Sequence, residues 1–303
     1  MEKSLYLEYV QRFFPQLVLS IVERLNEKRA NQLPYMYKTL LTPDFSADGR
    51  WSSILAEYNR VAADVVSLDS ELPLKTRDSI ETASGEIPKL GMKLYLTEKQ
   101  MKDIDAMIAQ SLPLNQIVNK IFNDLPRCLE GVWERIEDMF LSELSTGIGL
   151  SERNNGTGVR LDVGYYTANK FGVSVLWDDP DTSTPLDDMQ KVFDKALEDQ
   201  NTVTDIWLDG LYQSKQVRGQ YAFDNKVTAQ EGVGVPTLDF DKAAQVVKTK
   251  WDVTLHRVAR KIKTEINGVK KSHSPWQQGM VVFTCDEKLG SLVWTNTAET
   301  TRR

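Results

Sequence analysis

Few residues in this chain have the types and spacing that chemistry requires. Two histidines, His256 and His273, and two cysteines, Cys128 and Cys285, are all that its 303 residues offer beyond carboxylates and hydroxyls. Neither histidine belongs to an HExxH pair or lies near a nucleophile motif. GxSxG, GxxxxGK[ST] and GxGxxG patterns do not occur, so the usual seats for an acyl-enzyme serine, a nucleotide phosphate or a dinucleotide are missing. His256 falls in a β-like run and reads as structural, whereas His273, in Lys-Lys-Ser-His-Ser-Pro, reads as exposed loop. The cysteines are far apart and form no CxxC pair. That spacing suits a reducing compartment and excludes a cysteine-rich metal site.

The carboxylates are the remaining candidates. Asp178-Asp179-Pro180-Asp181 offers oxygen ligands suited to a divalent cation, without the ordered alternation and glycine of an EF-hand loop. Asp187-Asp188 stands at a predicted helix start, where the helix dipole favours negative charge. The reading adopted is a solvated, capping loop, and no residue is assigned as catalytic, cofactor-binding or metal-binding. An α/β enzyme with its site at Asp178, Asp179 and Asp181 is the alternative from a different class.

Charge is unevenly distributed. The segment 178–210 holds ten Asp or Glu against Lys191 and Lys195, while 242–271 holds nine Lys or Arg against Asp252 and Glu265. The basic run can contact phosphates, pair with the acidic stretch of a neighbouring copy, or simply be a solvated face. A formal net charge of −6 argues against nucleic-acid binding by the whole surface. The seven tryptophans and ten tyrosines form no stacking stripe and read as core or interface anchors.

The elements that must position these residues follow from periodicity. Leu7, Val10, Phe14, Leu17, Ile21 and Leu25 recur at helical spacing, with Pro15 predicting an end or a kink. Pro34 and Pro43 frame a looser stretch with Tyr35, Tyr37 and Leu40. Trp51 to Leu68 mixes helix formers with a Val65-Val66 run. Residues 75–95, with Gly85, Pro88 and Gly91, read as a long hairpin or extended loop with little core of its own. Thr97 and Gln100 form a capping-box pattern that opens a helix through Ile108, and Ser111 to Leu114 breaks the chain again. Leu129, Val132, Trp133, Ile136, Met139, Phe140 and Leu144 predict a helix over about 127–146, stopped by Gly147 and Gly149. Beyond it come β-like runs at 159–166 and 172–177, a helix over 186–199 and a buried strand over 203–208. A glycine-bearing loop with Gly210, Gly219, Gly232 and Gly234 leads to a helix over 240–251. Strand-like stretches at 253–266 and 280–284 complete the pattern. Alternating helices and strands over 186–294 predict a compact α/β domain, and the long helix with its strands a second module.

Several of these stretches resemble a known family. Ala62-Ala63-Asp64-Val65-Val66 followed by Glu71-Leu72-Pro73-Leu74-Lys75-Thr76-Arg77 resembles the N-terminal signature of phage-lambda-like major head proteins. The helix ending Leu144-Ser145-Thr146-Gly147, then Val159-Arg160-Leu161-Asp162-Val163-Gly164-Tyr165, is similar to their spine helix and following strand. Asn267-Gly268, Pro275-Trp276, Gly279-Met280-Val281-Val282 and Leu289-Gly290-Ser291-Leu292-Val293-Trp294 are similar to the close of their apical domain. The order and spacing of these pieces run from about residue 50 to 298.

The resemblance implies an α+β capsid fold of the Hong Kong 97 type. Its parts would be an N-terminal arm (1–50), a peripheral domain (51–185) with an extended loop (about 75–95) and the spine helix, an apical domain (186–294), and a tail (295–303). It implies a non-enzymatic subunit that self-assembles through pentamers and hexamers into the icosahedral head of a tailed phage or prophage. Scaffold, portal and decoration proteins would be partners, with non-specific contact to packaged DNA and no cofactor. Relatives continue past the Val-Trp strand, so an expected departure is a shortened C-terminus. An encapsulin-like compartment shell, enclosing protein cargo, is the alternative within the same fold. No stretch reaches the roughly 18 apolar residues that span a bilayer, and the N-terminus lacks a signal-peptide core, so synthesis in the host cytoplasm and residence in the virion are expected.

Overall fold

The computed structural model describes residues 7–27, 34–56, 80–151, 159–162, 169–210, 214–225, 237–266 and 268–297. The chain is an α+β protein. In order its elements are α1 (Leu7–Glu27), α2 (Met36–Leu40), β1 (Leu41–Phe45), β2 (Arg50–Ala56), β3 (Ile80–Glu86), α3 (Glu98–Ala109), α4 (Leu114–Ile121) and α5 (Leu125–Thr146). There follow β4 (Ile148–Ser151), β5 (Val159–Asp162), α6 (Pro185–Glu198), β6 (Asp205–Leu208), α7 (Lys215–Asp224) and α8 (Phe240–Trp251). The last are β7 (Thr254–Arg257), β8 (Ile262–Ile266), β9 (Val269–His273), β10 (Val281–Thr284) and β11 (Gly290–Trp294). These elements group into two compact units, one made of Met1–Lys38 with Lys89–Met139, the other of Thr39–Pro88 with Phe140–Arg303.

The first unit is helical. Its α1 runs unbroken through Pro15, which forfeits one intrahelical hydrogen bond without ending the element. Helix α3 opens on the expected capping box: Thr97 Oγ1 accepts from Gln100 N–H, and the Gln100 side chain accepts from Thr97 N–H at 2.8 Å. Ser111, at φ 53°, turns the chain, and Pro113 starts α4, a helix that the periodicity reading passed over as a break. Ile104 on α3 and Ile117, Val118 and Phe122 on or beside α4 are buried, which is the apolar reason for α4 to form.

Residues 34–38 of the same unit are held by α5 through polar contacts. Both oxygens of Glu137, a fully buried side chain, accept from the first N–H groups of α2: Met36 N at 2.9 Å and Tyr37 N at 3.1 Å. Tyr35 donates its hydroxyl to Glu134 at 2.9 Å, and Lys38 Nζ lies 3.7 Å from the centre of the Trp133 ring. Met92 packs over Gly131, where a Cβ would come within 2.6 Å of its sulfur.

The second unit is built around a mixed three-stranded sheet in the order β10-β6-β7, with β10 antiparallel and β7 parallel to β6. Alternation along β6 divides its side chains. Ile206 and Leu208 enter a core with Trp177, Met189, Val247 and Val253, against which Phe193, Trp251, Leu255 and Phe283 pack. Leu186, Val217, Leu238, Ala243 and Val246 extend that core between α6, α7 and α8. Asp205 and Trp207 lie on the other face. Helix α7 falls where the sequence predicted a glycine-bearing loop. Ser214 caps it by accepting from Val217 N–H, and its one helical glycine, Gly219, is tolerated once Val217 is buried. Helix α8 begins on an Asp239 cap and ends at Asp252 in the left-handed region, φ 57°.

Two β-like predictions need correction. The run 172–177 forms no strand, because strand identity requires a ladder partner and none is present among the described residues; Trp177 instead turns inward and donates Nε1–H to Asp188 at 3.0 Å. The stretch 253–266 is broken after Arg257 and resumes at Ile262, so its alternating residues belong to separate sheets. The spine-helix prediction and the observed α5 differ by a turn at most, and Gly147, at φ 79°, stops the helix by donating its N–H to Glu143 O.

Within the predicted loop 75–95, residues 80–86 are β3, paired antiparallel to β2 with Gly85 opposite Trp51. The Trp51 indole lies over Gly85, where a Cβ would sit 2.6 Å from Nε1. Gly85→Ala is expected to displace the indole and lower stability by about 1 kcal/mol, read as a lower urea midpoint. An unchanged midpoint would mean that the indole does not rest there. Three further pairs complete the unit: β4 with β5 and β8 with β9, both antiparallel, and β1 with β11 parallel, the last placing Phe45 against Trp294 at 4.8 Å between ring centres. Residues 62–66 and 71–77, on which part of the resemblance rests, lie outside the described residues.

Candidate functional site

The acidic loop before α6 is held together by its own hydrogen bonds. Asp179 Oδ1 accepts from Asp181 N–H at 2.9 Å and from Thr182 N–H at 3.3 Å, while Oδ2 accepts the Thr182 hydroxyl at 2.6 Å. The Thr182 hydroxyl and then the Asp181 N–H hold the Asp179 carboxyl below the usual carboxylate range. Asp181 faces Lys215 at 3.1 Å, and Asp188, buried, takes hydrogen bonds from Trp177 and from Lys191 at 2.9 Å. Asp179 and Asp181 therefore act as turn and ion-pair residues, Asp178 is exposed beside them, and no cluster able to hold a metal occurs among the described residues.

The two histidines have different settings. His256 on β7 places Nε2 2.5 Å from Asp205 Oδ1 on β6, and its ring stacks on Trp207 with centres 4.0 Å apart and planes 11° from parallel. Trp207 donates Nε1–H to the Thr284 hydroxyl at 3.0 Å, and Thr204 Oγ1 donates to Asp205 Oδ2 at 2.7 Å. Three strands thus close one polar network on the outer face of the sheet. It ties β7 to β6 and β6 to β10, the work of a structural histidine. Sequence reasoning named His256 but missed Asp205 as its partner, since the two are 51 positions apart and only the parallel pairing of β6 and β7 brings them diagonal to each other. His273 differs from its predicted exposed loop: it ends β9 opposite Ile262 and is half-buried. The cysteines are both free, with Cys128 half-buried and Cys285 exposed; burial pushes each thiol above its ordinary value.

A cavity of about 20 Å³ lies between α6, α7, α8 and the sheet, lined by Leu186, Met189, Leu208, Val217 and other apolar groups. One water-sized sphere needs ~10–15 Å³ on this scale, so the cavity suits no organic substrate. Large apolar side chains also lie exposed on the surface of the described residues. In the first unit, Leu90, Met92, Leu94 and Tyr95 lie along an extended stretch without helix or strand, and Tyr95 is 82% exposed. In the second, Phe171, Val173, Val175 and Leu176 are exposed in the same manner. The β8–β9 hairpin presents Lys261, Lys263, Lys270 and Lys271, all exposed.

No helix among the described residues is long and apolar enough to cross a membrane. No family model matches this chain, and no curated protein matches it.

Proposed function

We propose that this protein is a shell-building subunit, the major head protein of a tailed phage or prophage with a Hong Kong 97 type capsid fold. The observation that carries the reading is the pair of apolar segments at 90–95 and 171–176, exposed, outside helices and strands, and without ladder partners among the described residues. Ordering such segments costs about 1–2 kcal/mol of backbone entropy per residue, which the packing of Met92 over Gly131 offsets only in part. Neighbouring copies would supply the missing contacts and cover the apolar side chains. The long α5, the β2–β3 hairpin and the α/β unit around β6 are parts that a spine helix, extended loop and apical domain would require. In this role the subunit would act in the phage head, with scaffold, portal and decoration proteins as further partners.

The test is electron microscopy of concentrated protein, alone and co-expressed with its neighbouring genes. Closed shells are the expected product. Protein that stays monomeric in both settings would overturn the reading.

A further inference from the structure

We propose that the β8–β9 hairpin of one copy docks on the exposed face of α6 of a second copy, joining Lys261 and Lys263 to Glu198 and Asp194. The inference rests on the assembly reading above and specifies one of its contacts. Lys261 and Lys263 flank the buried Ile262 and project to the opposite side of the strand from it. Two residues along a strand span about 6.7 Å. On α6, Asp194 and Glu198 are exposed and lie one turn apart, about 6 Å along the axis. The two charge pairs are therefore nearly commensurate.

Neither lysine has an opposite charge within reach among the described residues, and the same holds for Glu198. Several neighbouring ionic groups are already matched: Glu265 faces Lys270 across the hairpin at 3.9 Å, Lys191 reaches Asp188, and Lys195 pairs with Asp199. Asp194 receives only a neutral hydrogen bond, from Gln190. The charges left over are thus basic on the hairpin and acidic on the helix.

Charge decides between a protein and a nucleic acid as the occupant. The face of α6 that carries Asp194 and Glu198 repels a phosphate backbone, and Leu197, 76% exposed, lies on that same face three residues from Asp194. A second copy of this chain offers both an apolar side chain and the complementary charge on one face. Because the two patches differ, the contact is heterologous and generates rings or open chains, the geometry that capsomer formation needs.

The experiment compares four samples by sedimentation velocity and light scattering: wild type, Lys261→Glu/Lys263→Glu, Asp194→Lys/Glu198→Lys, and an equimolar mixture of the two variants. All four substituted side chains are exposed, so unchanged circular dichroism and melting are expected. Each variant alone should self-associate at least ~10-fold more weakly than wild type, since like charges then face each other. The mixture should recover, because each copy then meets a partner of opposite sign. Wild type that associates while both variants match it would overturn this contact and leave the assembly reading intact. A wild type that is monomeric at every concentration would overturn both. Variants that lose only co-purifying nucleic acid, with self-association unchanged, would make the hairpin a phosphate-binding surface and overturn the pairing.

Discussion

Replacing Glu137 by alanine should detach residues 34–38 from α5 and destabilise the helical unit by about 3–5 kcal/mol. The side chain is wholly buried, and its two oxygens are the acceptors for the first N–H groups of α2. Removing them leaves one buried and one part-buried donor without this acceptor, at about 1–3 kcal/mol each, and opens a small cavity besides. A five-residue helix cannot hold its shape from propensity alone, so the cap is the condition for its existence. Tyr35 and Lys38 would lose their seats on Glu134 and Trp133 as a consequence, although neither is touched by the substitution. The measurement is amide hydrogen exchange of residues 34–40 together with the urea midpoint. Glu137→Gln keeps one acceptor and should fall between wild type and alanine. Protection unchanged in Glu137→Ala would show that the segment is held by something else.

The second large effect depends on pH. Glu143, on the same helix but in the other unit, is pushed up to about 7 by burial, and its Oε1 has no hydrogen-bond partner among the described residues. In the unfolded chain the same carboxyl titrates near 4.5. Between those values the folded state keeps a proton that the unfolded state has lost, so stability declines as pH rises through the interval and levels off above about 7. At about 1.4 kcal/mol per tenfold change in proton affinity the full difference is roughly 3 kcal/mol, and partial access to water reduces it to about 2. Glu143→Gln, neutral at every pH, should therefore be more stable than wild type by about 2 kcal/mol near pH 8 and equal to it below about pH 4. Urea midpoints at those two pH values decide it; equal slopes against pH in the two proteins would remove Glu143 as the cause. Asp48, Asp179 and Asp239 act in a different window. Hydrogen bonds from Ser46, Thr182 and Lys242, respectively, hold them low, so their contribution is present above the ordinary aspartate range and lost on acidification.

Local signals were the legible part of this chain. The Thr97–Gln100 box, the α5 stripe from Leu129 to Leu144, the Gly147 stop and the buried strand ending at Leu208 all depend on residues a few positions apart, where sequence spacing and spatial spacing coincide. Gly219 was misleading because it lowers helix propensity by an amount that one buried apolar face can outweigh, and Pro15 does not end α1. The run 172–177 failed for the opposite reason: its apolar alternation is strand-like, yet a strand is a relation between two segments. Most of the polar architecture was hidden by distance. Glu137 with Met36, His256 with Asp205 and Ser145 with Gln277 join residues 51 to 132 positions apart, and no periodicity announces such a pair. At the proposed contact the charges themselves were visible, as an acidic stretch and a basic one. The matched spacing of Lys261 and Lys263 with Asp194 and Glu198 required the elements.

The parallel pairing of β1 with β11 has a consequence for how the chain is made. Leu41 meets Gly290, so a strand near one end waits for a partner about 250 residues later. At about 5–20 residues per second, that interval lasts roughly 12–50 s on the ribosome, during which β1 has an open edge. Closing so long a loop costs about 5 kcal/mol of chain entropy before the ladder returns anything. The pair therefore forms last, after the α/β unit around β6 has brought its two ends together. Nascent chains crowded on one message would pass through that window side by side, each with an unpaired strand that a neighbour could complete.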